Sequence, residues 1–117
     1  MRILNRTKQT VIAEQVRHAR TFGEKLIGLI HRKEAHPLLM KTRFGIHTFG
    51  MKFPIDVIVF DRQGIIQTLQ PNMRPGSFVF WRSVAPYVLE LPAGRIDASR
   101  AEVGDEVAVI DEGSMVG

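Results

Sequence analysis

Cysteine is missing from the chain, which removes disulfides, thiolate nucleophiles, Cys-ligated zinc and iron–sulfur clusters from its chemistry. Long apolar runs are missing too: none approaches the roughly 20 residues of a membrane span. Met1-Arg2-Ile3-Leu4-Asn5-Arg6 carries charge with no apolar stretch behind it, so no signal peptide and no membrane partner are expected. The expected location is therefore cytoplasmic. No G-x-S-x-G elbow, P-loop, G-x-G-x-x-G or H-E-x-x-H occurs, which leaves serine-hydrolase, NTPase and dinucleotide-binding readings without support. Repeats, low-complexity tracts and linkers are absent as well. The 117 residues read as one domain, 1–117, with a loose tail at 111–117.

What is present fits a soluble globular protein, with 44% apolar and 24% charged residues. The net charge of +4 is uneven: residues 1–32 hold seven Lys/Arg against two acids, and residues 61–117 hold five against eight. The basic residues of the first segment are dispersed and not clustered with aromatics, so they read as a solvated face. Sequence-specific nucleic-acid binding is not indicated.

The chain is organised around residues 46–61, Ile46-His47-Thr48-Phe49-Gly50-Met51-Lys52-Phe53-Pro54-Ile55-Asp56-Val57-Ile58-Val59-Phe60-Asp61. Gly50 and Pro54 make its first half irregular. Residues 55–60 are β-branched and aromatic and read as a buried strand. Asp56 shares a face of that strand with Ile58 and Phe60. A carboxylate there needs donors or a counter-charge, because an unpaired buried charge is costly.

Other strand-like runs are residues 10–16, 65–69, 78–81, 87–91 and 106–110, with 38–40 a short buried segment. Thr21-Phe22-Gly23-Glu24 has capping-box spacing and opens a short helix near residues 21–30. Arg62-Gln63-Gly64 suits a hairpin turn, and Pro71 to Gly76 reads as a loop. Residues 97–101 read as one helical turn with Asp97 as cap. About six strands with one clear helix predict a mainly β or α+β fold, a compact β-sandwich or barrel-like domain. Short connections favour antiparallel pairing.

The chemistry-bearing candidates begin with Asp56 and Glu90, acids embedded in apolar strands near breakers. In one cleft they would bind a hydroxylated ligand, share a proton, or act as acid and base. Alternatively, each accepts backbone N–H bonds and braces a loop. His47, Thr48, Met51 and Lys52 precede the Asp56 strand, and His47 is base, hydrogen-bond donor or metal ligand or, with no paired ligand beside it, a structural residue. His31 and His36 are five residues apart, about 140° around a helix, which is wrong for a zinc pair. No metal site is expected, and no cofactor is indicated. Arg74 and Arg82 flank residues 78–81 and suit an anionic group, with Trp81 a stacking surface. They read equally as counter-charges or surface residues, with Trp81 in the core.

Gly28-Leu29, the His47-Thr48-Phe49-Gly50-Met51-x-Phe53-Pro54-Ile55-Asp56 string, Val88-Leu89-Glu90-Leu91-Pro92-Ala93-Gly94 and Gly104-Asp105-Glu106-Val107 resemble the domain of unknown function 192 family over about residues 10–110. The likeness is to its compact cytoplasmic branch; other members carry Phe-Trp-Met-Lys-Asn-Thr in place of the residues 47–51 string. The resemblance implies a small, mostly β domain with a sandwich- or barrel-like core and little helix. It implies no activity. The recurrent motif positions of the family fall on His47, Met51, Pro54, Asp56, Glu90 and Gly94. Relatives often have Pro-Trp-Arg before the Glu90 strand; here Asn72-Met73-Arg74-Pro75-Gly76 lacks the Trp, and Trp81-Arg82 comes later.

The expected function is a small-molecule or peptide-binding module with a polar site at residues 46–56. Its candidate residues are His47, Thr48, Met51, Lys52, Asp56, Arg74, Arg82 and Glu90. The alternatives are an acid–base enzyme, metal-assisted or not, using Asp56, Glu90 and His47, and a purely structural Asp/Glu network. The sequence leaves the oligomeric state open.

Overall fold

The computed structural model describes residues 1–18, 36–41, 45–49, 51–81 and 87–111. Their strands, in chain order, are β1 (Arg2–Asn5), β2 (Thr10–Ala13), β3 (Arg17–His18), β4 (Leu38–Lys41), β5 (Gly45–His47), β6 (Ile55–Phe60), β7 (Ile66–Met73), β8 (Phe78–Phe80), β9 (Tyr87–Pro92) and β10 (Val107–Ile110). Among the described residues one short helix, here α1 (Arg95–Ser99), lies between β9 and β10. The fold is mainly β, as the alternating and β-branched runs predict.

The central sheet has the order β3-β4-β9-β6-β7, and its pairs are antiparallel except β3 with β4. All six residues of β6 are buried. A strand can be apolar on both faces only where both faces are covered, and two smaller sheets cover this one. On one side, Ile58, Phe60, Leu89 and Leu91 pack with Ile3, Ile12 and Val107 of the β10-β1-β2 sheet and with Ile96 of α1. On the other side, Ile55, Val57, Val59 and Val88 pack with Met40, Met51, Met73 and Ile46, and Val79 of β8 joins them. Ile46 and Val79 belong to the two-stranded β5-β8 sheet, which closes that side.

Several boundaries differ from the sequence reading. Residues 71–73, expected as loop, continue β7. Among the described strands β7 is an edge, where Pro71's missing N–H does no harm, and Asn72 turns the chain with φ 49° at a break in register. The helical turn starts at Arg95, with Gly94 in the cap position at φ 101°, in place of the expected Asp97 cap. The sequence pattern does not mark β1 as a strand, and β5 lies in a stretch expected to be irregular. Strands number ten among the described residues, because two- to four-residue strands give too little alternation to recognise. The expected helix at 21–30, Arg82, and residues 112–117 of the tail lie outside the described residues. No helix among the described residues is long and apolar enough to cross a membrane.

Candidate binding surface

Asp56 is buried, and both of its carboxylate oxygens accept backbone N–H groups. Oδ1 accepts the Asn72 N–H at 2.8 Å, and Oδ2 accepts those of Gly94 at 3.0 Å and Ile96 at 2.8 Å. A helix leaves its first N–H groups without intrahelical partners, and Gly94 has no side chain to cap α1. Asp56 caps it from the next strand, placing negative charge at the helix start. It also pins the left-handed Asn72.

Glu90 is buried on the opposite face. Across the β6–β9 ladder Val57 faces Glu90, and Asp56 faces Leu91. Directly opposed residues share a face in an antiparallel pair, so Glu90 lies with Val57 and Val88 beneath the β5-β8 layer. The two acids do not meet in one cleft.

The loop residues 48–49 and 51–53 and the loop at 74–77 are clipped together by Thr48, which is buried. Its hydroxyl donates to the Arg74 carbonyl at 2.6 Å and accepts the Ser77 N–H at 2.9 Å. Its backbone N–H donates to the Ser77 carbonyl, and its carbonyl accepts the N–H groups of Gly76 and Met51. Met51 turns inward to the core, whereas Lys52 and Arg74 are exposed.

Beside that clip lies a feature the sequence reading did not single out. Phe49, Phe78 and Phe80 are 45%, 56% and 72% exposed, enough to make them one apolar patch on the surface. Because Ile46 and Val79 face the core, period two turns Gly45, His47, Phe78 and Phe80 outward. Phe49 meets Phe78 edge-on at 4.6 Å between centroids, His47 lies 5.0 Å from Phe49, and the rings of Phe78 and Phe80 are nearly parallel at 5.5 Å. Gly45 carries no Cβ beneath this layer: Phe80 Cδ1 lies 3.0 Å from where one would stand. His47 Nδ1 accepts the Phe49 N–H at 3.3 Å. The signal was present in Phe78-Val79-Phe80, where alternation sets both rings on one face once Val79 is known to point inward. The apposition of His47 with Phe78 is a tertiary fact.

A second polar cluster forms around Asp105. Its carboxylate accepts hydrogen bonds from Asn5 Nδ2 at 2.9 Å, from Lys8 Nζ at 2.8 and 3.1 Å, and from the Glu102 N–H at 3.0 Å. Burial alone would push the Asp105 carboxyl up, but the bonds from Asn5, Lys8 and the Glu102 N–H outweigh it and hold it below its ordinary value. The bond to Asp105 in turn holds the Lys8 ammonium above the usual lysine value, against its partial desolvation. This network ties the start of the chain to the turn before β10.

An open cleft of about 920 Å³ runs between Lys8, Asp56, Asn72, Gly94, Asp97, Arg100 and Glu102. Lys8 and Asp56 on its wall are held by the partners just described, and Arg100 Nη2 donates to the Lys8 carbonyl. Among the described residues no three His, Asp or Glu side chains gather as metal ligands would.

Residues 3–109 match the DUF192 family, described as an uncharacterized ACR. A UPF0127 protein of Thermococcus sibiricus is 34% identical over 112 residues, covering 90% of this chain and 72% of its own length. A UPF0127 protein of Pyrococcus furiosus is 32% identical over 111 residues, covering 90% of this chain and 95% of its own. Among solved structures, a protein of unknown function from Novosphingobium aromaticivorans aligns with TM-score 0.78 over 93% of this chain and 84% of that one, at 18% identity. That likeness is one of fold.

Proposed function

This chain belongs to the DUF192 family, and we propose that it is a binding module whose recognition surface is the outward face of β5 and β8 with the loops that Thr48 joins. The observation that carries the reading is the exposed aromatic layer of His47, Phe49, Phe78 and Phe80. Burying a phenylalanine is worth roughly 1.5–3 kcal/mol, and three of them forgo much of that on one face. Contiguous exposed apolar surface is a mark of interaction sites.

In this reading His47, Lys52 and Arg74 supply the polar contacts, while Thr48 and Met51 hold the face in shape. Asp56 serves the scaffold, and its three backbone donors favour the structural reading for that residue. Against acid–base catalysis by Asp56 with Glu90 stands the sheet between them.

The test is amide mapping by nuclear magnetic resonance with a panel of small aromatic fragments and short peptides. Ligands are expected to shift residues 45–49 and 76–80 and to lose that effect in Phe80→Ala. A panel whose binders all map elsewhere, such as the cleft at Asn72 and Gly94, would overturn the reading.

A further inference from the structure

We propose that the aromatic face takes single-stranded nucleic acid without regard to sequence; this deepens, and rests on, the binding-surface reading above. Single strands are held by aromatic rings on which bases stack and by cations that follow the backbone, and stacking tolerates any base because each has a π face. Both parts are on this surface. Phe78 and Phe80 alternate on one short strand with rings 13° from parallel, so a base laid on either continues a stack. His47, directly across from Phe78 in the β5–β8 pair, meets the Phe78 ring edge-on at 6.2 Å and borders the stack.

Cations flank the platform on the described loops. Lys52 and Arg74 are exposed on the two loops that Thr48 clips beside Phe49. Across the described residues of 45–60 and 66–81 the single acid is Asp56, buried and occupied by backbone donors. Among those described residues a polyanion meets no exposed carboxylate. The geometry favours bases over lipid: Phe80 lies against the backbone at Gly45 on a strand face, where a bilayer anchor would project apolar tips from loops. The exposed cations Lys52 and Arg74 beside the rings favour a polyanion over an apolar peptide.

The experiment is fluorescence anisotropy of a labelled oligo(dT) of about 12 nucleotides, within the footprint of sheet-based single-strand binders, titrated with the full chain at several salt concentrations. Binding is expected at low salt. Phe78→Ala and Phe80→Ala are each expected to weaken it at least about fivefold, the loss of one stacked base. Arg74→Gln is expected to lower the slope of log affinity against log salt by about 0.7. Val109→Ala, an exposed apolar change on β10, is expected to leave binding as it was. Circular dichroism checks that each variant is folded.

Absence of binding at low salt, or binding that ignores both phenylalanine variants, overturns the proposal; the latter points to the basic residues of 1–32. The same protein is then titrated with phosphatidylglycerol vesicles and with an acidic peptide, reading amides 45–49 and 78–80. A response there after oligo(dT) has failed ends the nucleic-acid inference and leaves the binding surface standing. No response to any of the three probes ends the nucleic-acid inference, and the fragment panel then decides the binding surface by itself.

Discussion

Asp56 and Glu90 stand on neighbouring strands and point to opposite faces of the same sheet. The ladder sets Asp56 against Leu91 and Val57 against Glu90. Asp56 thereby reaches the Gly94 turn and the first turn of α1, while Glu90 enters the layer under β5 and β8. Two acids that look like a pair in the sequence serve different parts of the fold.

Asp56→Asn is expected to destabilise the protein by about 1.5–3 kcal/mol, the range for hydrogen bonds to a charged group. One carboxylate oxygen becomes an NH2 that faces a backbone N–H donor. Calorimetry should show the melting temperature falling by several degrees. A variant as stable as the parent would mean that the three N–H bonds contribute nothing net.

Stability is expected to form a plateau in pH bounded by the Lys8–Asp105 pair. The Asp105 carboxyl titrates lower folded than unfolded, so its contribution is present above its ordinary value of 3.8 and is lost as pH falls through the lowered folded value. Lys8 titrates higher folded than unfolded. Its contribution is complete below 10.5 and is lost as pH rises through the raised folded value. Urea unfolding across both limbs should therefore show less acid dependence in Asp105→Asn and less alkaline dependence in Lys8→Met. Unchanged limbs would place the pH dependence elsewhere.

Thr48→Val keeps the shape of the side chain and deletes its bonds to Arg74 and Ser77. Leaving the part-buried Ser77 N–H without its hydroxyl acceptor is expected to cost about 1–3 kcal/mol. Hydrogen exchange at the Ser77 amide, which donates to Thr48 Oγ1, should accelerate more than at amides of β6. Equal protection in the variant would show that the backbone bonds alone hold the two loops.

Gly45→Ala places a Cβ into the Val79 carbonyl oxygen and against the Phe80 ring. Backbone cannot give way as a flexible side chain can, so a loss of about 1–3 kcal/mol is expected. Phe80 should also leave its position over β5, weakening whatever stacks on it. Anisotropy and a melting curve on the same sample test both effects, and a stable variant with full binding would refute the packing argument.

Much of this structure is legible before folding. The six buried residues of β6 follow from Ile55-Asp56-Val57-Ile58-Val59-Phe60. The turn into β7 follows from Asp61 and Gly64: Asp61 Oδ1 accepts the N–H groups of Gln63 and Ile65, as turn-forming aspartates do. The need of Asp56 for donors is also readable, since a carboxylate among isoleucines cannot go unpaired. Shorter elements are not readable. β5 has three residues, and Gly45-Ile46-His47 becomes a strand only because β8 pairs with it.

What the sequence by itself determined is which residues lie on the same side of their own strand: Asp56 with Ile58 and Phe60, Val88 with Glu90, and Phe78 with Phe80. Strand geometry makes that local. Which of those sides face each other depends on which strands become neighbours and on their register, and only the tertiary structure decided it. A slip of one residue along β9 would set Asp56 opposite Glu90 in place of Leu91, and would turn the apolar side chains of that strand to the wrong layers. Packing on both faces forbids the slip, so the burial of Leu89 and Leu91 keeps the two acids apart.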